Sequence, residues 1–117
     1  MEPRVQNQVG HVTDMGFLAV FCSGNKVKMQ HYIDLYLRLM PVNIQKIEKC
    51  ISQKKYGPLL QTVHDMKTHL KCMGMTNALQ YLENMEVLIT EKKNPEQLPD
   101  LLNRLNEDYK LSIVELA

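Results

Sequence analysis

The sequence predicts an all-α protein, folded as an antiparallel up-and-down four-helix bundle with a short additional helix near its N-terminus. Apolar residues recur every three or four positions along four long segments, which places them on one face of a helix. Glycine and proline are scarce, at five each in 117 residues, and no stretch of four or more residues alternates in the manner of a strand. Four amphipathic helices with short connections bury their apolar faces by packing together as a bundle.

The first residues are predicted to form a loose tail followed by a short helix. Residues 1–12 show no apolar pattern and make up the tail, so the helical bundle is expected to span residues 13–117. Thr13 and Asp14 have side chains suited to cap a helix, and the apolar run that follows them predicts a short helix over 15–22.

A long helix is predicted next, over about residues 26–53. Its apolar spacing of three and four continues in phase on both sides of Pro41. A proline inside a helix removes one hydrogen bond and crowds the preceding turn, so it bends or breaks the helix. We interpret the segment as one bent helix, with two helices and a tight join as the alternative.

The third predicted long segment is a helix over about residues 58–73, after a break at Tyr56-Gly57-Pro58. Gly74 follows at the position where a glycine commonly takes the left-handed conformation. Core-type residues in this segment step by three, four and three positions: Val63, Met66, Leu70 and Met73.

Two further helices complete the prediction. One spans about residues 76–92, with Thr76 or Asn77 as its cap. The last begins near the start signals at Asn94-Pro95 or Pro99-Asp100 and carries a leucine-rich stripe toward the end of the chain.

His64 interrupts the pattern of the third segment. It lies roughly 140° from the centre of the apolar stripe, so it is expected to face water. Lys67 and Lys71 fall on the same side of the helix, and Thr68 is one turn along from the histidine. An exposed imidazole beside two ammonium groups is suited to receive a phosphoryl group, because the ammonium groups stabilise the negative charge that it brings.

The sequence shows no motif that could bind a phosphoryl donor or catalyse the transfer to His64 unaided. It contains no glycine-rich loop that could cradle a phosphate and no paired carboxylates or nucleophile–base pair. The donor and its machinery are therefore expected on a partner.

Composition narrows the classes of partner and site. The net charge is +1 and tryptophan is absent, which gives no support for nucleic-acid or membrane-surface binding. Cys22, Cys50 and Cys72 are widely spaced without a pattern, as in a reduced, cytoplasmic protein. His64 and His69 point to different sides of a straight helix, so they cannot share a metal ion and no metal site is expected.

Three positions resemble the signature of a known family. His64, Lys67 and Gly74 have the spacing found in histidine-containing phosphotransfer (HPt) domains, the phosphoryl carriers of two-component phosphorelays. Thr68 departs from that motif, which usually has glycine at this position. The resemblance covers about residues 13–115, including the helix that contains a proline and the helix that follows the motif.

The resemblance implies roles for individual residues. His64 would accept a phosphoryl group on Nε2 from a receiver-domain aspartate and pass it to another such aspartate. Lys67 and, as a weaker candidate, Lys71 would stabilise the phosphate, and Glu86 would orient the imidazole ring. Gly74 would shape the turn beneath the docking face.

The resemblance also implies partners. Leu60 and Gln61 would belong to a docking patch for response-regulator receiver domains, with a hybrid histidine kinase as a further partner. Mg²⁺ would arrive with the receiver, and this chain would bind no cofactor of its own. The expectation is a monomeric, cytoplasmic phosphohistidine carrier rather than a stand-alone kinase.

Two other functions stay open. The segment from His64 to Leu70 also resembles the phosphoacceptor box of sensor histidine kinases, although His69 stands where that box has proline and no nucleotide-binding module follows. The other alternative is a non-catalytic helical adaptor that binds a receiver or another partner through the same face.

Overall fold

The computed structural model describes residues 11–116, and within this range it contains α-helices and no β-strand. The all-α prediction is confirmed. The helices are α1 (Gly16–Phe21), α2 (Lys26–Gln53), α3 (Tyr56–Cys72), α4 (Thr76–Glu91) and α5 (Leu98–Leu116), with one turn of 3-10 helix at Pro95–Gln97 before α5. Residues 1–10, which make up most of the predicted loose tail, lie outside the described residues, as does residue 117.

The four long helices contact one another in a closed cycle. Helix α2 packs against α3 and α5, and α4 packs against the same two helices, while α1 packs against α3. The domain is compact, with a Cα radius of gyration of 15.0 Å. Its core is built mainly from leucine and methionine, and its fully buried side chains include Leu18, Met40, Ile47, Leu59, Met66, Leu70, Leu82, Met85, Leu98 and Leu105.

Helix α2 runs without interruption through Pro41. The interpretation as one helix is therefore confirmed. A proline in a helix interior costs about 3 kcal/mol, but the buried side chains of Met40 and Ile47 hold both halves against the same core. The Asn25 side chain caps the helix by accepting a hydrogen bond from the Lys28 backbone N–H at 3.0 Å.

The predicted break at Tyr56-Gly57-Pro58 is wrong, because these three residues form the first turn of α3. A proline is tolerated there since the first backbone N–H groups of a helix have no partner within the helix. The chain turns at Lys54 instead, whose left-handed backbone has a φ of 55°.

Two predicted helix caps also differ from the structure. Met75, and not Thr76 or Asn77, stands at the N-terminal cap of α4, and it makes no side-chain capping hydrogen bond. Helix α1 begins at Gly16, one residue later than predicted. Asp14 still lies near its start, where its carboxylate accepts a hydrogen bond from the Gly16 backbone N–H at 2.9 Å.

The segment before α1 is fastened to α5 by Glu115. Its carboxylate accepts hydrogen bonds from the backbone N–H groups of Val12 (2.8 Å) and Thr13 (2.9 Å) and from the Thr13 hydroxyl (2.6 Å). Burial alone would raise the pKa of Glu115, but these hydrogen bonds lower it below the ordinary value. Val12, which the sequence places in the tail, is thus attached to the far end of the chain.

Gly74 lets the same segment approach α3. The Asp14 backbone N–H donates to the Met73 carbonyl at 2.9 Å, which brings the Asp14 carbonyl against Gly74. Gly74 has a φ of +64°, and a Cβ atom there would overlap the Asp14 carbonyl oxygen. Both the backbone conformation and the close approach therefore require glycine.

Two features bear on the protein's environment. Cys22 and Cys50 are buried and Cys72 is half-buried, and all three are free thiols. Between residues 11 and 116, no helix is both long and apolar enough to cross a membrane.

A buried polar contact joins α2 and α5 in the core. The Tyr36 hydroxyl lies 2.8 Å from the Ser112 hydroxyl, and burial raises the pKa of Tyr36.

Replacing Gly74 should separate backbone strain from overlap. Gly74→Ala is expected to lower the free energy of unfolding by about 2–4 kcal/mol. Alanine is strained in the left-handed backbone of this position, and its Cβ would also overlap Asp14. Gly24→Ala has the same kind of backbone (φ +73°) with no atom near the new Cβ, so it should lose only about 1 kcal/mol. Gly57→Ala, in the first turn of α3, should change the free energy of unfolding by less than either, because the helix propensity of alanine is opposed by contact of its Cβ with Pro58. Urea unfolding of the three variants measures this order, and equal losses at Gly74 and Gly24 would contradict it.

The hydrogen bonds at Glu115 should make stability depend on pH. Since the folded-state pKa of Glu115 is lowered, its stabilisation is complete above the ordinary pKa and is lost as the pH falls through the folded-state value. Glu115→Gln should therefore cost about 1 kcal/mol at neutral pH, a value that allows for solvent screening, and progressively less in acid. Denaturant unfolding at a series of pH values, with Glu48→Gln on α2 as the control, measures the difference; a constant loss at every pH would rule out this role.

Candidate functional site

An open groove of about 770 Å³ runs between α3 and α4. Ten residues line it: Gly57, Leu60, Gln61, His64 and Lys67 from α3, and Glu83, Glu86, Val87, Thr90 and Glu91 from α4. Gly57 brings no side chain to one end of the groove, and a Cβ there would meet no atom of another part of the chain within 4 Å. The groove thus combines the apolar side chains of Leu60 and Val87 with a charged rim formed by Lys67, Glu83, Glu86 and Glu91.

His64 is exposed on the α3 side of this groove, with a side-chain relative accessibility of 68%. The predicted exposure is confirmed. Its chain neighbour Val63 and the nearby Met66 are fully buried in the core, so the phase of α3 holds the imidazole outward. A bulky reactant could reach the ring without any movement of the helix.

Glu86 stands opposite His64 on α4. The distance from its Oε2 atom to His64 Nδ1 is 3.8 Å, which is too long for a hydrogen bond but within reach of an ion pair when the imidazole is protonated. The carboxylate therefore faces Nδ1 rather than Nε2.

Lys67 is bound to the same carboxylate. Its Nζ atom donates to Glu86 Oε1 at 2.8 Å, and the two side chains retain only 27% and 22% of their accessibility. Partial burial makes this pair stronger than a fully exposed one, because water screens it less. Lys67 is therefore not the free ammonium group that the helical spacing indicates.

Acidic groups outnumber basic ones in the groove. Glu83, Glu86 and Glu91 all line it, against Lys67 alone. Glu91 is partly neutralised by Lys93, whose Nζ lies 2.7 Å from Glu91 Oε1. The rim consequently favours a partner or reactant that brings positive charge with it.

The structure brings five of the sequence-predicted site residues into the groove and leaves three outside it. His64, Lys67, Glu86, Leu60 and Gln61 line the groove together. The Gln61 side chain donates to Asp65, the residue next to the histidine, at 2.9 Å.

The remaining three predicted residues lie elsewhere on α3 or beyond its end. Thr68 and Lys71 are exposed on α3 outside the groove lining. Gly74 lies past the C-terminus of α3 and contacts the segment before α1, so its evident role is to admit Asp14. Nothing in the geometry ties Gly74 to the groove directly.

Five groove residues were not predicted as site residues: Gly57 on α3, and Glu83, Val87, Thr90 and Glu91 on α4. The four on α4 follow the helical period of Glu86 along one face of that helix. That period was available in the sequence, and it would have identified them once Glu86 was placed beside His64.

Groups able to hold a metal ion are not gathered in residues 11–116, where no cluster of three or more histidine, cysteine, aspartate or glutamate side chains meets the geometry for one. His69 is half-buried on another side of α3, and burial lowers its pKa, opposed by the charge of Asp65. A neutral His69 fits a structural role at the edge of the core.

Comparison with known proteins gives no assignment: no protein-family model, no curated protein and no solved structure matches this chain.

Proposed function

We propose that this chain is a histidine-containing phosphotransfer module, in which His64 takes a phosphoryl group from a receiver-domain aspartate and passes it to another receiver. The observation that carries the proposal is the setting of His64. It is an exposed imidazole, fixed on a helix beside an open groove, with an ammonium and a carboxylate group next to it. The spacing of His64, Lys67 and Gly74 in the sequence supports the same assignment.

The position of Glu86 supports Nε2 as the nucleophile. A carboxylate that faces Nδ1 favours the tautomer with its proton on Nδ1, which leaves the Nε2 lone pair free. An in-line attack on phosphorus needs an accessible nitrogen, and the exposure of His64 meets that requirement. Glu86 would also stabilise the positive charge that the ring acquires on phosphorylation.

The groove suits a docking surface for the receiver. Leu60 and Val87 supply apolar contact area, and Val87 is 47% exposed. Gln61 and the acidic rim supply polar contacts around it. The receiver would bring Mg²⁺ with its own carboxylates, since the groove residues include a lysine and no gathered ligand set.

The arrangement of the helices that we propose is the antiparallel up-and-down bundle. Connections of two residues between α2 and α3 and three between α3 and α4 favour reversal of direction at each turn. The closed cycle of contacts among four helices of one chain supports a monomer, whereas a kinase-type phosphoacceptor builds its bundle from two helices of each of two chains. Free thiols suit a reducing compartment such as the cytoplasm.

A non-catalytic adaptor is the second candidate, and one observation favours it. The ion pair with Glu86 occupies the ammonium group of Lys67, the lysine one helical turn from His64, so this group does not point to the imidazole in the structure as it stands. An adaptor would bind a receiver through the same groove without any phosphoryl transfer.

Phosphotransfer to His64 is the decisive test. Incubation with a panel of radiolabelled phospho-receiver domains is expected to place an acid-labile, base-stable label on the native chain and none on His64→Gln. His31→Gln is the matched control, because His31 is likewise exposed on a long helix but lies on α2, away from the groove. It should be labelled like the native protein.

Retained receiver binding without any label would favour the adaptor and reject the relay. A stable dimer in solution, measured by light scattering, would instead favour the kinase-type phosphoacceptor.

The size of Thr68 is expected to limit the transfer rate. Thr68 is exposed one turn from His64, where the HPt motif usually has glycine, so its bulk narrows the approach of the receiver. Thr68→Ala and Thr68→Gly should each raise the transfer rate severalfold, with Ala avoiding the loss of helix stability of about 1 kcal/mol that Gly brings. An unchanged or lower rate for both variants in a rapid-quench assay would show that bulk is not limiting.

A further inference from the structure

The ion pair between Lys67 and Glu86 conflicts with the separate roles that phosphotransfer needs from these residues. A lysine that stabilises a phosphoryl group must reach that group, yet Lys67 Nζ lies 2.8 Å from Glu86 Oε1. A carboxylate that holds the ring through Nδ1 must reach Nδ1, yet Glu86 Oε2 lies 3.8 Å away. In this structure Lys67 and Glu86 are paired with each other, so neither is placed for the role that phosphotransfer would give it.

We infer that phosphorylation of His64 makes the two residues exchange partners: Lys67 leaves Glu86 for the phosphoryl oxygens, and Glu86 closes on the Nδ1–H of the phosphorylated ring. The inference rests on the proposed function only in taking His64 as the phosphoryl acceptor. It adds that Glu86 holds Lys67 in an ion pair before phosphorylation, and that the negative charge of the phosphoryl group draws Lys67 away.

The transfer step supplies the charges that drive the exchange. The Nε2 lone pair attacks phosphorus, the bond between phosphorus and the aspartate oxygen breaks, and the aspartate leaves as a carboxylate. The Nδ1 proton stays on the ring, so the product is an imidazolium group that carries a dianionic phosphoryl group. No proton or electron has to come from elsewhere, and the total charge is unchanged.

The pair that Lys67 gains is electrostatically stronger than the pair it loses, whereas Glu86 exchanges one singly charged cation for another. For Lys67, a dianionic phosphoryl group replaces a singly charged carboxylate. For Glu86, a newly formed imidazolium group 3.8 Å away replaces the ammonium group that departs. Lys67 is one helical turn from His64 on the same side of α3, and its side chain is long and flexible, so the change requires rotamer shifts and no movement of a helix.

Glu86 should therefore act as a competitor for Lys67, and its removal should prolong the life of the phosphohistidine. A free Lys67 binds the dianionic phosphoryl group of the ground state more tightly than the loose, metaphosphate-like transition state of hydrolysis, whose outer oxygens share less negative charge. The effect of Glu86 should then depend on the presence of Lys67. A carboxylate that only oriented the ring would act in the same way with or without the lysine.

The test uses phosphoramidate, a small phosphoryl donor that needs no receiver, and follows hydrolysis of the phosphohistidine by phosphorus NMR. Lys67→Gln is expected to shorten the half-life about tenfold, the change that one charge-assisted hydrogen bond produces. Glu86→Gln should lengthen it by about threefold or more, on the same scale. Adding Glu86→Gln to Lys67→Gln should give no comparable lengthening, because no lysine is left to release, and Lys67→Arg should retain most of the native half-life.

Matched controls exclude a general effect of losing an ion pair. Asp100→Asn removes the exposed pair with Arg104 on α5 and should leave the half-life unchanged. Thermal unfolding of each variant checks that the fold is kept, and His64→Gln should lose the phosphorus signal of the phosphohistidine at position 64, which distinguishes it from any signal of the exposed His31.

Two results would overturn the inference: a shorter half-life in Glu86→Gln, or an equal lengthening with and without Lys67. Labelling of His64 by phosphoramidate but by no receiver would reject the proposed relay while leaving the exchange intact. The two failures are therefore distinguishable.

Discussion

The packing of α3 on three neighbours determines the rest of the site. Helices α1, α2 and α4 all contact it, and its core face contains the fully buried Leu59, Val63, Met66 and Leu70. A helix held so firmly cannot rotate, because a turn of even one position would expose these side chains and bury charged ones. The outward direction of His64 is thus a consequence of the core. Burial, and not any contact made by the imidazole itself, supplies the rigidity that the proposed role of His64 requires.

Much of the fold followed from the period of apolar residues, and the errors lie at helix ends. Met40 and Ile47 are in phase across Pro41, and this phase correctly indicated one helix. Tyr56-Gly57-Pro58 was misread because glycine and proline disfavour helix interiors, whereas the first turn of a helix tolerates both. The left-handed turn at Lys54 could not be foreseen, since lysine carries no preference for that conformation. Caps and turns depend on a few local energies of similar size, and the core decides among them.

For the candidate site, the sequence predicted what one helix can determine and missed what two helices make together. The exposure of His64 depends on the phase of α3 alone. The Lys67–Glu86 pair depends on how α3 and α4 lie against each other, and no spacing within either helix contains that information. The same limit explains why Gly74 was assigned to the docking face. Its requirement for glycine arises from Asp14, a residue 60 positions earlier in the chain that approaches it only in the folded state.

The attachment of Val12 and Thr13 to Glu115 has a consequence for the architecture of any longer polypeptide that contains this domain. It holds the two ends of the described chain side by side, next to the C-terminus of α3, where Asp14 binds Met73. The groove occupies the other half of α3 and extends toward the C-terminus of α4. Neighbouring domains joined at either end would therefore leave from one pole of the molecule. The surface around His64 lies away from this pole, and tension applied between the two ends of the described chain would act first on the hydrogen bonds of the Glu115 carboxylate.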